Sequence, residues 1–259
     1  MTYENKKILS FSVLTFTKAE LDELGDDLTA LIATMSYAAN EISTMQLLYI
    51  SNSGVVPADK DIYFRWAIQK HTLIRILNAK VFEAIFGFSE YKKTLERRGL
   101  HKSLEFLAKI FEQIDDMKHA PGYNYSKAIR DKATNHYSPA NTKKNMKYVS
   151  ARADKRMIHH EKTGNSFHPI GEEYVFMAQV NATANTHNVQ SEEVMNEWID
   201  WTIRSLRTLS KAFDDLLIQV VTEVLPHKYL ELKKPYVELP LVCNLTTSAL
   251  PLFFESTMP

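Results

Sequence analysis

The sequence predicts an all-α fold, a helical bundle, and three observations lead there. Only seven glycines occur in 259 residues, too few for the many turns of an all-β chain. Long stretches run without glycine or proline, so the backbone has few built-in breaks. Within those stretches apolar residues recur at three- and four-residue steps, the spacing that gathers them on one helical face. With 45% hydrophobic and 24% charged residues, the chain has a globular composition and the length to bury a real core. Nothing marks a linker between independent cores, so residues 1–259 are expected to form one domain.

The alternation Leu9, Phe11, Val13 reads as an extended strand or arm. Lys6 and Lys7 before it imitate the start of a signal peptide, but Ser10, Ser12 and Thr15 interrupt the apolar run and no small-residue cleavage site follows. Thr17 and Glu20 form a capping-box pattern. The stripe Leu21, Leu24, Leu28, Leu31, Met35, Ile42, Met45, Leu48 then predicts one long helix ending near Ser51 to Gly54. A second helix is expected after Pro57-Ala58-Asp59, through Trp66, Leu77, Val81 and Ile85 to about Gly87, with a short one from Ser89 to Arg97. Leu104, Leu107, Phe111, Ile114 and Met117 mark the next, stopped before Pro121-Gly122. A brief helix from Ser126 to about Tyr137 is closed by Ser138-Pro139. Residues 141–190 read as an irregular insertion with short helical pieces and a turn at Gly164-Asn165-Ser166. Ser191 is expected to cap the last long helix, whose stripe runs Val194, Trp198, Trp201, Leu209, Phe213, Leu216, Val220, Val224. Residues 226–259, with five prolines, read as an extended, partly strand-like tail.

Lysine plus arginine and aspartate plus glutamate each total 31, so no global charge pulls the chain toward nucleic acid or membrane. The single cysteine, Cys243, rules out an intrachain disulfide and makes a reducing cytoplasm the expected compartment. No apolar run reaches the length of a membrane span, so no membrane partner is expected. Charge is nonetheless uneven. Lys127, Arg130, Lys132, Lys143, Lys144, Lys147, Arg152, Lys155 and Arg156 face only Asp131 and Asp154 as acids between residues 127 and 156. Tyr137 and Tyr148 sit among them. Cations interleaved with rings suit a phosphate backbone whose bases stack on the rings. A solvated face balanced by acids elsewhere, such as Glu20 to Asp27, is the competing explanation.

That basic segment opens with Arg130-Asp131-Lys132-Ala133-Thr134-Asn135-His136-Tyr137. An arginine and a histidine separated by five residues, with a polar residue after the arginine, resemble the signature of the HEPN superfamily of helical-bundle proteins. Asn40-Glu41 and Lys80 to Ala84 are similar to polar insertions in the bundle helices of that family. The resemblance implies a HEPN-type bundle and a metal-independent endoribonuclease without cofactor, of the kind found as a toxin or phage-defence effector, acting as a homodimer and accompanied by an antitoxin protein. The residue types fit such chemistry. Arg130, with its fixed charge and forked donors, would clamp the phosphate, and His136 would act as general acid or base. The ribose 2′-oxygen is its own nucleophile, giving a 2′,3′-cyclic phosphate. Asp131 would orient a basic group or the 2′-hydroxyl, while Lys127, Lys132, Asn135 and Tyr137 are candidate RNA contacts.

The loose motif also fits Arg65 with His71 and Arg152 with His159. Arg65 is followed by Trp66 in an apolar helix, and Arg152 by Ala153 in a less regular stretch, so the Arg130 copy is preferred. Positions six apart on a regular helix diverge by about 120°. Either the helix distorts near Thr134 and Asn135, or two subunits complete the site. Two other roles stay open: Arg130 pairing with an acid while His136 ends a helix favourably, and a non-catalytic module binding nucleotide, RNA or protein. His159, His160 and His168 match no familiar zinc spacing, and no metal site is expected. No phosphate-cradling glycine loop, Gly-x-Ser-x-Gly elbow or Glu-x-x-His pair is present.

Overall fold

The computed structural model describes residues 11–52, 56–134, 138–160, 165–228, 231–233 and 251–252. Within them the protein is an all-α bundle with one small strand pair. Helix α1 (Lys18–Leu24) opens with the expected capping box: Thr17 N–H donates to Glu20 Oε2 at 2.7 Å, and Glu20 N–H to Thr17 Oγ1 at 3.4 Å. The helix does not continue to residue 51. Gly25, at φ 78°, takes a conformation that side chains resist, and α2 (Asp26–Ser51) starts anew behind it.

Helix α3 (Lys60–Arg97) is capped by the Asp59 carboxylate, which accepts from Asp61 and Ile62 N–H at 2.9 and 3.0 Å. It runs through Gly87, where the sequence predicts a break. A Cβ at Gly87 would lie 3.3 Å from Met35 Cε on α2, so this glycine lets two helices approach instead of ending one. Two further helices, α4 (His101–Phe106) and α5 (Ala108–His119), divide at Leu107 what the apolar spacing joins.

Helix α6 (Tyr123–Ile129) passes into a π-helical turn, Arg130–Thr134. Ser138 then begins a helix where a stop was expected. Its hydroxyl accepts from Asn141 N–H at 3.2 Å as the cap of α7 (Pro139–Asn145), and Pro139 suits the first helical turn. The largest correction concerns the segment read as irregular. Residues Pro169–Gly171 (α8), a π-turn Glu172–Met177 and α9 (Ala178–His187) follow one another without a gap. Phe176, Ala178, Gln179, Val180, Ala182, Thr183 and Ala184 are all buried, so the helix is covered on several sides and presents no single apolar stripe to be read.

Helix α10 (Ser191–Gln219) ends in a π-turn, Val220–Val224. Ser191 is not its cap; Gln190 holds that position, and the Ser191 hydroxyl donates to Asn181 Oδ1 on α9 at 2.6 Å. Strands β1 (Phe11–Val13) and β2 (Glu231–Lys233) pair antiparallel, Phe11 opposite Lys233. The remainder of the expected arm and tail, apart from residues 226–228, Pro251 and Leu252, lies outside the described residues.

Two apolar clusters hold the bundle. The larger joins α2, α3, α5 and α10 through residues such as Met35, Leu77, Phe88, Ile114 and Leu216. The smaller gathers Ile74, Ile129, Phe176, Val180, Ala184, Val194 and Trp198, and so seats α6 against α9 and the start of α10. Phe82, Tyr123 and Trp201 pack together within the larger cluster, with centroids 4.9 to 5.7 Å apart. Trp201 Nε1–H donates to Met117 O at 2.9 Å, and buried Asn78 Nδ2–H to Thr202 Oγ1 at 2.9 Å. Among the described residues, no helix is long and apolar enough to cross a membrane.

Candidate nucleic-acid interface

Residues Lys127 to Thr134 reach the surface because Ile129 does not. Ile129 is fully buried in the smaller cluster, and Ala133, one turn on, packs against the same cluster. That anchors one face of α6 and turns its neighbours outward in two directions. On one side, Arg130 lies against α3, its guanidinium 5.8 Å from the Phe82 ring centre. Arg130 Nη1–H donates to Asp131 Oδ1 at 2.9 Å, and Lys127 Nζ reaches Asp131 Oδ2 at 3.3 Å. Burial pushes the Asp131 carboxyl up, but hydrogen bonds from Arg130 and Lys127 outweigh it and hold the group below the usual carboxylate range. Asp131 is therefore a carboxylate at neutral pH that bridges two cations. The Arg130 side chain keeps 32% of its surface exposed, while its Nε–H is buried with no partner among the described residues.

The π-turn is carried by an i to i+5 geometry that also brings Thr134 Oγ1 to 3.4 Å from Ile129 O. Such turns often mark functional sites, but among the described residues two others, Glu172–Met177 between α8 and α9 and Val220–Val224 at the end of α10, belong to the helix framework, so the turn alone assigns nothing. Asn135, His136 and Tyr137 lie outside the described residues. The structure thus brings Lys127, Arg130 and Asp131 together and turns Lys132 elsewhere.

Lys132 lines a cleft of about 200 Å³ between α6, α7 and α9. Lys144 and Tyr148 enter it from the α7 side, Gln179 and His187 from α9. Sequence reasoning placed Lys144 and Tyr148 only in the basic stretch and missed Gln179 and His187 altogether. The interleaving of rings with lysines was the available signal for the first two. The approach of α9, hidden in an apparently irregular segment, left no signal for the others.

Elsewhere in the basic stretch, Arg156 is spent on structure. It pairs with Asp154 at 2.6 Å and reaches across to Asp61 on α3 at 2.7 Å. Lys132, Lys143, Lys144, Lys147, Arg152 and Lys155 have no carboxylate partner among the described residues, and of these Lys132 and Lys144 line the cleft. The other loose motif copies are differently placed. Arg65 donates to the carbonyls of Leu252 at 3.2 Å and Ser166 at 3.5 Å. His71 Nδ1 lies 3.0 Å from Glu172 Oε1, and Arg75 Nη1 lies 2.9 Å from both oxygens of the same carboxylate. These contacts tie α3 to the start of the α8–α9 helix. Arg152 and His159 are exposed. Among the described residues no group of three or more His, Cys, Asp or Glu is arranged to hold a metal ion.

Fold and site together define an all-α bundle with a cationic, aromatic-edged cleft. Comparison with family models, curated proteins and solved structures finds no match for this chain, so the residues themselves carry the functional reading.

Proposed function

We propose that the protein binds RNA across α6 and cleaves it without a metal, as an endoribonuclease of the HEPN type. The observation that supports this reading is the pairing, on one short helix, of a half-exposed Arg130 with an unneutralised lysine cleft immediately behind it. A phosphodiester at Arg130 meets a guanidinium whose exposed donors suit its non-bridging oxygens. In the reaction the ribose 2′-oxygen attacks phosphorus and the 5′-oxygen leaves. One copy of His136 takes the 2′-proton and the other, protonated, delivers one to the leaving 5′-oxygen. Arg130 offsets the charge that builds on the phosphoryl oxygens. Asp131 holds the guanidinium in place until the phosphate competes for it. Products are a 2′,3′-cyclic phosphate and a 5′-hydroxyl. A homodimer would supply two such motifs to one groove, and a toxin or phage-defence role controlled by an antitoxin follows from the same resemblance.

The test is incubation with labelled RNA in EDTA and analysis of the ends. His136→Ala is expected to slow cleavage by about 10²–10⁴ and Arg130→Ala by about 10²–10³, with the thermal transition unchanged. Cleavage by His136→Ala at the unaltered rate refutes the mechanism. One observation favours a second reading, a module that binds RNA without cutting it: Arg130 is engaged with Asp131 and faces away from the lysine cleft. RNA retained intact by the unaltered protein selects that reading.

A further inference from the structure

The cleft behind Arg130 carries one sign of charge. Its charged side chains are Lys132 from the π-turn and Lys144 from α7, His187 adds an imidazole from the end of α9, and no carboxylate among the described residues lines it. Both lysines are exposed. Its floor is already organised. Asn145 Nδ2–H donates to Gln179 Oε1 at 2.8 Å, and Gln179 Nε2–H donates to Thr183 Oγ1 at 3.1 Å. Gln179 and Thr183 are 2% and 3% exposed, so this amide chain is held by the core and need not rearrange for a ligand. Two of the last carbonyls of α9, those of Ala184 and Asn185, already accept hydrogen bonds. Val189 N–H donates to Ala184 O at 3.0 Å and Asn188 N–H to Asn185 O at 3.4 Å.

Size narrows the ligand further. About 200 Å³ falls below the roughly 300–1,000 Å³ of sites for drug-sized molecules, and it suits a phosphate with part of its nucleoside. Tyr148 at the wall offers a ring, with Lys147 Nζ 5.0 Å from its centre. We infer that the cleft is a phosphate-binding subsite for one nucleotide unit, separate from the Arg130 site and on the other side of α6. Lys132 and Lys144 close on the phosphate oxygens from two elements, and Tyr148 meets the base. As an RNA subsite it rests on the RNA reading above, and it then makes a bound strand cross α6 with one phosphate on each side.

The experiment measures binding of a fluorescent single-stranded RNA by anisotropy, on the His136→Ala background so that no substrate is consumed. Lys132→Gln and Lys144→Gln are each expected to weaken binding about tenfold and to lower the slope of log affinity against log salt by about 0.7. Lys109→Gln, an exposed lysine on α5, corrects for bulk charge and is expected to change neither. Competition by adenosine monophosphate, lost in Lys132→Gln/Lys144→Gln, assigns the site to a nucleotide monophosphate. Displacement by RNA alone assigns it to a strand phosphate. Affinity and salt slope that match the Lys109→Gln control in the double variant overturn the inference, and do so even if His136→Ala has abolished cleavage. Conversely, unaltered cleavage by His136→Ala defeats the nuclease reading and leaves the lysine result standing.

Discussion

Gly122 sets the position of α6, and replacing it with alanine tests that claim most directly. Its φ is 85°, the left-handed region, and a Cβ built there would run into the backbone carbonyl oxygen of Glu197, with Trp201 Cβ at 2.8 Å and Glu197 C at 3.1 Å. Glu197 O belongs to the hydrogen-bond ladder of α10 and cannot swing aside as a side-chain tip would. Two costs therefore add. The left-handed backbone costs about 1–2 kcal/mol for a residue with a Cβ, and forcing apart well-packed helices costs about 1–3 kcal/mol. Gly99 separates the two terms. It sits at φ 65° with nothing within 4 Å of its Cβ position, so Gly99→Ala meets only the strain, less roughly 0.4–1 kcal/mol gained by restricting the unfolded chain. Gly122→Ala is expected to lose about 3 kcal/mol, lowering the melting temperature by roughly 10 °C at ~2–4 °C per kcal/mol, and Gly99→Ala about 1 kcal/mol or less. Thermal and urea unfolding of both variants gives the comparison. Equal losses in the two would mean that α6 and α10 do not meet closely at Gly122.

Three further outcomes are expected. Trp201→Phe leaves the Met117 carbonyl without its donor and should cost about 1–3 kcal/mol beyond lost packing. Trp198→Phe removes an Nε1–H that has no partner, so it should be the milder change in the same melts, and the reverse order counts against both assignments. Glu20 is held at about 2 by Lys228, then by the Thr17 backbone and hydroxyl and by His227, against the raising effect of burial. Its stabilisation is thus fully present above the unfolded value near ~4.3 and is lost as pH falls from there through about 2. The stability gap between the unaltered protein and Glu20→Gln should close across that window, and a gap constant from pH 6 to 2 sinks the assignment. Asp131→Asn releases Arg130 and Lys127 from a shared carboxylate and should tighten RNA binding several-fold at low salt, with a titration that finds it weakened pointing instead to a positioning role that the amide cannot fill.

Much of the bundle was readable because helix signals are local. Thr17 with Glu20 and Asp59 before α3 are caps whose donors and acceptors lie within three residues; the capping box forms as expected, and a helix starts after Asp59 as expected. Glycine is ambiguous at that range. Gly25 ends a helix through its own φ, Gly87 lies inside one because Met35 presses against it, and only the partner element distinguishes them. The helix at residues 169–187 was hidden by its burial: an apolar stripe needs a wet face for contrast, and α9 has little of one. The candidate site divides in the same way. Arg130, Asp131 and Lys127 are neighbours in sequence and meet in space through ordinary i to i+1 and i to i+4 contacts. Joining Lys132 to Lys144, Gln179 and His187 requires the α9 packing that the pattern conceals.

The division of α6 into two faces also bears on how Arg130 works. A guanidinium that ends in solvent exchanges partners easily; one with Nε–H buried and Phe82 beside it is held by its stem, so only its Nη groups are free to trade Asp131 for a phosphate. Exchange at that position neutralises nothing overall, since one anion replaces another. The gain in affinity must then come from somewhere else, and the unpaired lysines behind the helix are the nearest source. A strand that engages those lysines first raises the local concentration of its next phosphate at Arg130, converting an unfavourable exchange into an intramolecular one. On the proposed reading, recognition and cleavage would be coupled through a single turn of helix, with the buried Ile129 as the fixed point between them.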